Sequence, residues 1–369
     1  LMLGAIIILT CVLAVAFLNG ANDVSKGIAT LAGSGIARIR RAVAWGAFGT
    51  VAGGLAAAFV GSGLLKAFSG NGLVSVSSAN LVFVGAVACA TWLWLALATR
   101  TGLPVSTTHA LIGALVGAGW AESGPGAIQW TLLLEKFLLP LAASPALALA
   151  LMFASIPVFN YLCGPLHRYC VCVNREALAL AGHPATLTVN QSTDLVAGRT
   201  ADCDRAPATL VRLNALDALH WLSAGATSFA RGLNDAPKIL ALGFFASASL
   251  SFPTSVGFAL VAVAMGLGSV VAGFRVTETL ARKITPMSAA EGFAANWVTS
   301  FVVIGASALA LPVSTTHVSS GAIIGVGLKR DARGVHWRTV RDMLLAWVIT
   351  LPAAAGFAAA AIWLWRWIA

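Results

Sequence analysis

The chain has 369 residues, of which 59% are hydrophobic and 10% charged, and its mean hydropathy is +0.87. Because soluble globular proteins carry about 25% charged residues, this composition excludes a soluble fold and indicates a chain that lies in a lipid bilayer. The formal net charge of +10 does not indicate a nucleic-acid partner, because the basic residues lie between apolar segments, as cytoplasmic loops of membrane proteins do.

Seven apolar segments are close to the roughly 20 residues that cross a hydrocarbon core, and we predict them as membrane spans. In chain order they are Leu3–Leu18, Ala42–Leu65, Leu81–Ala98, Leu132–Val158, Val256–Phe274, Trp297–Leu311 and Met343–Trp367. The first resembles a signal peptide, but we expect no cleavage because no basic residues precede it. The sequence thus predicts an all-α, polytopic helical bundle.

Two pairs of copied fragments divide the chain into repeats. "NGANDVSK" at Asn19–Lys26 returns as "RGLNDAPK" at Arg231–Lys238, and "LPVSTTH" at Leu103–His109 returns at Leu311–His317. A long polar stretch separates the two sets. We therefore predict a first membrane repeat at 1–159, a central loop at 160–207 and a second membrane repeat at 208–369.

The charges of corresponding loops predict that the two repeats have opposite topology. Arg38, Arg40 and Arg41 follow the first Asn-Asp fragment, whereas no basic residue follows the second directly. The next connection reverses this pattern, with Arg282 and Lys283 only in the second repeat. Inverted repeats and the positive-inside rule then place both termini outside and the central loop in the cytoplasm. A parallel duplication with unrelated loop charges is the alternative.

Each copy of "LPVSTTH" is predicted to start a short half-helix inside the membrane. A helix start presents free backbone N–H groups and partial positive charge, and hydroxyl groups add further donors, so two such ends meeting at the midplane would bind a tetrahedral oxyanion. The candidate ligands are Ser106, Thr107, Thr108, Ser314, Thr315 and Thr316. The alternative is that these hydroxyls bond only to the preceding helical turn.

Each Asn-Asp fragment places a carboxylate inside a membrane segment, which costs several kcal/mol unless the charge is satisfied. The glycines around Asp23 and Asp235 predict an unwound stretch that lines a polar cavity. The alternative is a local ion pair with the lysine three residues later. For His109 and His317 we favour packing over proton handling.

The central loop carries a possible zinc site, formed by cysteines and histidines without the paired spacing of zinc motifs. Its members would be Cys163, Cys170, Cys172, Cys203, His167 and His183. Reduced cytosolic thiols are the favoured interpretation, so neither a metal nor a cofactor is predicted.

The doubled "LPVSTTH", the two Asn-Asp fragments, "ETLARKITP…GFAANW" and "RDMLLAWVITLPAAAG" together resemble the inorganic phosphate transporter (PiT) family. The resemblance covers both repeats. It implies secondary transport of phosphate across the plasma (inner) membrane by an inverted-repeat bundle, often a homodimer. It also implies the substrate ligands Asp23, Ser106, Thr107, Thr108, Asp235, Ser314, Thr315 and Thr316, with Asn22 and Asn234 shaping the site.

The chain departs from the sodium-coupled members of that family in charge. Lys26 and Lys238 stand where those members usually have asparagine, and Gly49 and Asn296 stand where many have glutamate. Because an ammonium group can supply the volume and charge of a bound sodium ion, we predict proton coupling. Sodium symport, sulfate transport and a passive channel are the alternatives. No enzyme motif is present.

Overall fold

The computed structural model describes residues 2–69, 73–75, 81–179, 189–199, 209–249 and 253–368. The helices of the first half are α1 (Met2–Asp23), α2 (Ser25–Gly33), α3 (Ile39–Val60), α4 (Ser62–Phe68), α5 (Leu81–Thr101), α6 (Thr107–Ser123) and α7 (Trp130–Cys163). Those of the second half are α8 (Ala215–Ser249), α9 (Thr254–Ala272), α10 (Phe274–Arg282), α11 (Ala289–Ala308), α12 (Thr315–Arg330) and α13 (Trp337–Ile368).

Six helical stretches in the described residues are long and apolar enough to cross a membrane, which confirms a multi-pass helical membrane protein. They are α1 with α2, α3, α5, α7, α9 and α13, and they contain four of the seven predicted spans and overlap two more, Ala42–Leu65 and Val256–Phe274. The seventh, Trp297–Leu311, overlaps α11, which ends at Ala308 before an extended segment. Large apolar side chains such as Phe59 and Trp367 point outward, as lipid contact requires.

The central segment contains strands where the sequence predicts only a loop. β1 (Tyr169–Ala179) lies between β2 (Val189–Arg199) and β3 (Thr209–Asn214) in an antiparallel sheet. Cys170 is disulfide-bonded, so the expectation of a reduced thiol is wrong for this residue. The side chains of Cys172, Cys203, His167 and His183 lie outside the described residues, and elsewhere no three acidic, histidine or cysteine side chains are grouped as a metal site would need.

The second half repeats the helix order of the first, with α8 corresponding to α1 and α2 together. Helices of one half pack on helices of the other half in two matching sets of pairs. α1 packs on α9 while the equivalent α8 packs on α3, and α6 packs on α13 while the equivalent α12 packs on α7. Equivalent helices of the two repeats therefore make matching contacts across the halves.

The cross-half helix pairs approach each other at glycines in equivalent positions. A Cβ atom at Gly268 of α9 would lie 1.8 Å from the Phe17 carbonyl oxygen of α1, and one at Gly53 of α3 would lie 2.0 Å from the Phe229 carbonyl oxygen of α8. Because these obstacles are backbone atoms, no rotamer change relieves them.

We expect Gly268→Ala to destabilise the protein by about 1–3 kcal/mol, since α1 and α9 must move apart. The midpoint of thermal unfolding in detergent measures this. Gly356→Ala is the matched control, because nothing lies within 4 Å of a Cβ at Gly356. Equal midpoints for the two variants would contradict the close packing of α1 against α9.

Contacts among the loops identify which connections share an end of the bundle. At one end Arg38, Arg40 and Arg41 line a cleft with Arg282, and Cys163, Leu216 and Ala290 pack together. At the other end Arg366, near the end of α13, bonds to Glu122 at 3.0 Å, Val74 pairs with Ile128, and Gly4 faces Leu81.

Candidate functional site

The two Ser-Thr-Thr fragments begin α6 and α12 inside the protein. Ser106 and Ser314 are extended N-cap residues whose hydroxyls accept the backbone N–H of His109 at 3.2 Å and of His317 at 3.3 Å. Capping by serine satisfies one free donor and fixes the start of each helix. The remaining N–H groups of the first turn and the positive end of the dipole point toward the centre of the protein.

The starts of α6 and α12 are adjacent because a threonine in the first turn of each helix bonds to the extended segment that precedes the other helix. Thr316 donates its hydroxyl hydrogen to the Val105 carbonyl at 2.8 Å, and Thr108 donates to the Val313 carbonyl at 3.4 Å. The hydroxyls and backbone of one repeat therefore complete the site of the other. The structure brings the two fragments together in the way the duplicated motif predicts.

The two carboxylates lie beside these helix starts and share one donor. The Asn19 amide nitrogen donates to Asp23 Oδ2 at 3.1 Å, to Asp235 Oδ2 at 3.3 Å and to Thr107 Oγ1 at 2.9 Å. Thr107 in turn donates to Asp23 at 3.4 Å. Residues from both repeats thus meet at a single buried point.

Both lysines form the local ion pairs that the spacing allows, and both also bind oxygen atoms outside the pair. Lys26 Nζ pairs with Asp23 and donates to Asn22 Oδ1 at 3.1 Å and to the Val105 carbonyl at 3.5 Å. Lys238 Nζ lies 3.6 Å from Asp235 and donates to the Val313 carbonyl at 2.8 Å and to Thr108 at 3.0 Å. Each ammonium therefore links an acidic residue to an extended segment.

Asn22 and Asn234 hold those extended segments in place. The Asn22 amide donates to the Leu103 carbonyl at 3.0 Å, and the Asn234 amide donates to the Val313 carbonyl at 3.4 Å. Ser307 donates to the Asn234 side-chain oxygen at 3.2 Å. These contacts are structural supports of the helix starts, which is the shaping role that the resemblance implies.

Arg231 is a third cation in the site, and it is absent from the set of ligands predicted from the sequence. Its side chain is 1% exposed, and it donates to the Asn19 side-chain oxygen at 3.3 Å and to Thr50. Spacing could have identified it, because Arg231 lies four residues before Asp235 and Asn19 lies four residues before Asp23, on the same helix face in each case.

By formal charge, the buried ionisable groups leave the site with one excess positive charge. Three cationic side chains, Lys26, Lys238 and Arg231, oppose two carboxylates, all of them at most 2% exposed. An uncompensated charge in a low-dielectric interior is strongly unfavourable. The arrangement therefore favours an anion at the two helix starts.

The expectation of unwound backbone at the Asn-Asp fragments is wrong. α1 continues to Asp23, a single turn residue follows, and α2 begins at Ser25, while α8 passes through Asp235 without interruption. Helical hydrogen bonds satisfy the backbone here, so the polar character comes from side chains. Among the described residues, the extended segments beside the site lie instead directly before the helix starts of the Ser-Thr-Thr fragments.

His109 and His317 lie behind the helix starts, where their rings pack with centroids 4.6 Å apart. His317 also lies against the ring of Trp347 at 4.0 Å, and its Nδ1 contacts the Leu141 carbonyl at 3.2 Å. These contacts fit a packing role at the junction of the repeats.

Every substrate-binding and lysine residue predicted from the sequence is buried, with no more than 4% exposure. They are Asn22, Asp23, Lys26, Ser106, Thr107, Thr108, Asn234, Asp235, Lys238, Ser314, Thr315 and Thr316. The described conformation is therefore occluded, and a substrate can reach the site only after the helices move.

Comparisons with known proteins agree with this architecture. The sequence model of the Phosphate transporter family matches residues 19–358. A probable low-affinity inorganic phosphate transporter of Rhizobium meliloti (strain 1021) is 30% identical over 349 residues, which cover 92% of this chain and 90% of that protein. A protein of the same description from Bacillus subtilis (strain 168) is 28% identical over 370 residues, covering 98% and 97% of the two chains.

The fold also matches a solved structure. "The sodium-dependent phosphate transporter" superimposes with a TM-score of 0.78 over 99% of this chain and 100% of that one, at 22% identity. Since the relatives are transporters and permeases, and the helices are those of a multi-pass membrane protein, this chain is a transporter rather than an enzyme, and it belongs to the Phosphate transporter family.

Proposed function

We propose that this protein is a secondary active transporter that carries inorganic phosphate as a monovalent anion, coupled to protons. The observation that carries the proposal is the single excess positive charge where two helix starts from opposite repeats meet. One dihydrogen phosphate ion would neutralise that charge and accept hydrogen bonds from the free N–H groups.

Phosphate suits the paired carboxylates better than sulfate does. Asp23 and Asp235 share the Asn19 amide, which leaves carboxylate lone pairs to accept hydrogen bonds. Dihydrogen phosphate carries two P–OH donors, whereas sulfate near neutral pH carries none. Sulfate offers the two carboxylates no donor, so their remaining lone pairs favour phosphate over sulfate.

Lys26 and Lys238 favour protons over sodium as the coupling ion. Each ammonium is surrounded by side-chain and backbone oxygen atoms, the type of ligand that a bound sodium ion takes. A fixed ammonium supplies this charge permanently, so an additional sodium ion is not needed. The empty site has one excess positive formal charge, and bound dihydrogen phosphate cancels it. A proton on Asp23 or Asp235 would therefore give the loaded site the same formal charge as the empty site. Without that balance, each uncompensated charge moved against 100 mV costs about 2.3 kcal/mol.

We also propose that the repeats are inverted and that the central segment is cytoplasmic, with both termini outside. α4 and α10 are equivalent helices of the two repeats. In a parallel duplication, the connections after both would lie on the same side of the membrane, opposite the loop before α3. The cleft between Arg38, Arg40, Arg41 and Arg282 favours the inverted arrangement, because Arg282 ends α10. The basic loops gather at this end, as the positive-inside rule requires of the cytoplasmic side.

Uptake of radiolabelled phosphate into proteoliposomes, with sodium and pH gradients imposed separately, tests the proposal. We expect an alkaline interior to drive accumulation above the external concentration, and a sodium gradient to have no effect. Excess sulfate should not compete. A sodium requirement would contradict proton coupling, and equilibration without accumulation would indicate a channel.

The family resemblance also leads us to propose a homodimer in the inner membrane. Native mass spectrometry of the purified protein measures its stoichiometry, and a monomer in lipid-like detergent would contradict this assignment.

A further inference from the structure

A polar stripe runs along α8 from the basic end of the bundle to the site. It consists of His220, Ser223, Thr227 and Arg231, which are spaced by one helical turn and end beside Asp235. The equivalent stripe on α1 is apolar until it reaches the site. Its residues are Ile8, Cys11, Val15 and then Asn19. The stripe on α8 is therefore polar where the equivalent stripe on α1 is apolar.

Hydroxyl and amide groups of neighbouring helices extend the α8 stripe into a connected buried network. Thr227 Oγ1 lies 2.9 Å from Ser300 Oγ and donates to the Asn296 carbonyl at 3.1 Å. The Asn296 side chain donates to Ser223 at 3.4 Å and accepts from Thr30 at 3.0 Å. Each of these side chains is at most 8% exposed.

His220 lies at the outer part of this network without a hydrogen-bond partner. Its side chain is fully buried, and neither ring nitrogen is bonded to any group in the described residues. Buried polar atoms are normally hydrogen-bonded, so an unpartnered imidazole needs a functional explanation. The ring occupies the space that Gly292 leaves, since a Cβ there would lie 2.4 Å from His220 Cε1.

Few charged groups surround His220 in the described residues. On α8, Asp217 lies one turn before it and Arg231 three turns after it. On α11, Glu291 is turned away to the Ser288 N–H and Arg330, and the α2 side that faces His220 presents the neutral Thr30. Beyond the start of α8, Cys163 packs against Leu216 and Ala290.

We propose that this stripe, from His220 to Thr227 with Thr30, Asn296 and Ser300, is the path by which the coupled proton leaves the phosphate site toward the basic end of the bundle. His220 passes the proton at the end of the path nearest the basic loops, because one ring nitrogen can accept a proton while the other releases one, and both nitrogens are unpartnered among the described residues. Arg231 closes the inner end by repelling a proton until a bound anion compensates its charge. The inference rests on the proposed proton coupling.

Substitution of His220 by glutamine separates proton release from substrate handling. During phosphate–phosphate exchange the carrier crosses loaded in both directions and need not release its proton, whereas net uptake requires release in every cycle. We expect His220→Gln to keep exchange within about twofold of the parent. Net uptake driven by a pH gradient should fall about tenfold or more and lose its dependence on internal pH.

Thr227→Val should give the same separation of exchange from net uptake without removing a titratable group, and it replaces His220→Gln if that variant does not fold. His336→Gln is the control, because His336 is exposed at the same end of the bundle. Phosphate-dependent acidification of the vesicle interior, followed with an internal pH dye, is measured in parallel.

The outcomes are distinguishable. Net uptake unchanged in His220→Gln, with parental proton movement intact, would overturn the proton path but leave proton coupling standing. Equal loss of exchange and net uptake would assign His220 a structural role and also overturn the path. Absence of phosphate-dependent proton movement in the parent would remove both the proposed coupling and this inference.

Discussion

Replacing Arg231 with glutamine is expected to abolish phosphate uptake while the protein still inserts and purifies. The change removes the excess positive charge and leaves Asn19 and Thr50 without their guanidinium partner. Loss of one member of a buried, hydrogen-bonded charge group costs about 2–5 kcal/mol, which is roughly 30-fold to more than 1000-fold in phosphate affinity. Binding of radiolabelled phosphate to the purified protein measures the change.

Two further arginine variants serve as comparisons for Arg231→Gln. Arg231→Lys should retain only part of the activity, because a single ammonium cannot bond to Asn19 and Thr50 with the fixed geometry of a guanidinium. Arg282→Gln should behave like the parent, because that side chain is 63% exposed and its ion pair with Glu278, at 4.0 Å, is long and exposed to solvent. Affinity within twofold of the parent in Arg231→Gln would refute the charge argument.

Lys26→Asn is expected to lower sodium-free uptake at least tenfold, and added sodium should restore part of it. The substitution removes the ammonium but leaves its oxygen acceptors at Asn22, Asp23 and Val105. A sodium ion can then occupy the vacated volume and replace the lost charge. Initial rates of phosphate uptake in sodium and in choline, at constant ionic strength, measure the effect.

The matched control is Lys283→Asn, because Lys283 is exposed and distant from the helix starts. It should keep sodium-independent uptake at the parental rate. The interpretation of the buried lysines fails if the parent protein itself transports phosphate only in sodium, or if Lys26→Asn transports normally in choline.

The parts of the site that could be predicted from the sequence are those that the two repeats share. The duplicated Ser-Thr-Thr fragments predicted helix starts inside the protein, and α6 and α12 begin there. Asp23 and Asp235 were identified for the same reason. Identical residues at equivalent positions indicated that both copies lie in one shared site. The free N–H groups and the dipole of a helix start then indicated that this site binds an anion.

The parts that could not be predicted are those in which the repeats differ. Asn19 and Arg231 stand at equivalent positions of the two repeats but are different residues, so a search for identical residues does not identify either of them. Their contact across the halves depends on tertiary packing. Likewise, glycine near Asn and Asp did not unwind the helices, because close packing against α3 and α9 explains Gly232 and Gly20 without any break.

The local pairing of Asp23 with Lys26 has a consequence for how the protein is made. Both residues lie within one helical turn, so their charges can neutralise each other as soon as that turn leaves the ribosome. Thr107 follows Asp23 by 84 residues, and Asp235 is synthesised later still. The nascent helix that carries Asp23 can thus enter the lipid with its own counter-ion, before the groups that complete its surroundings have been translated.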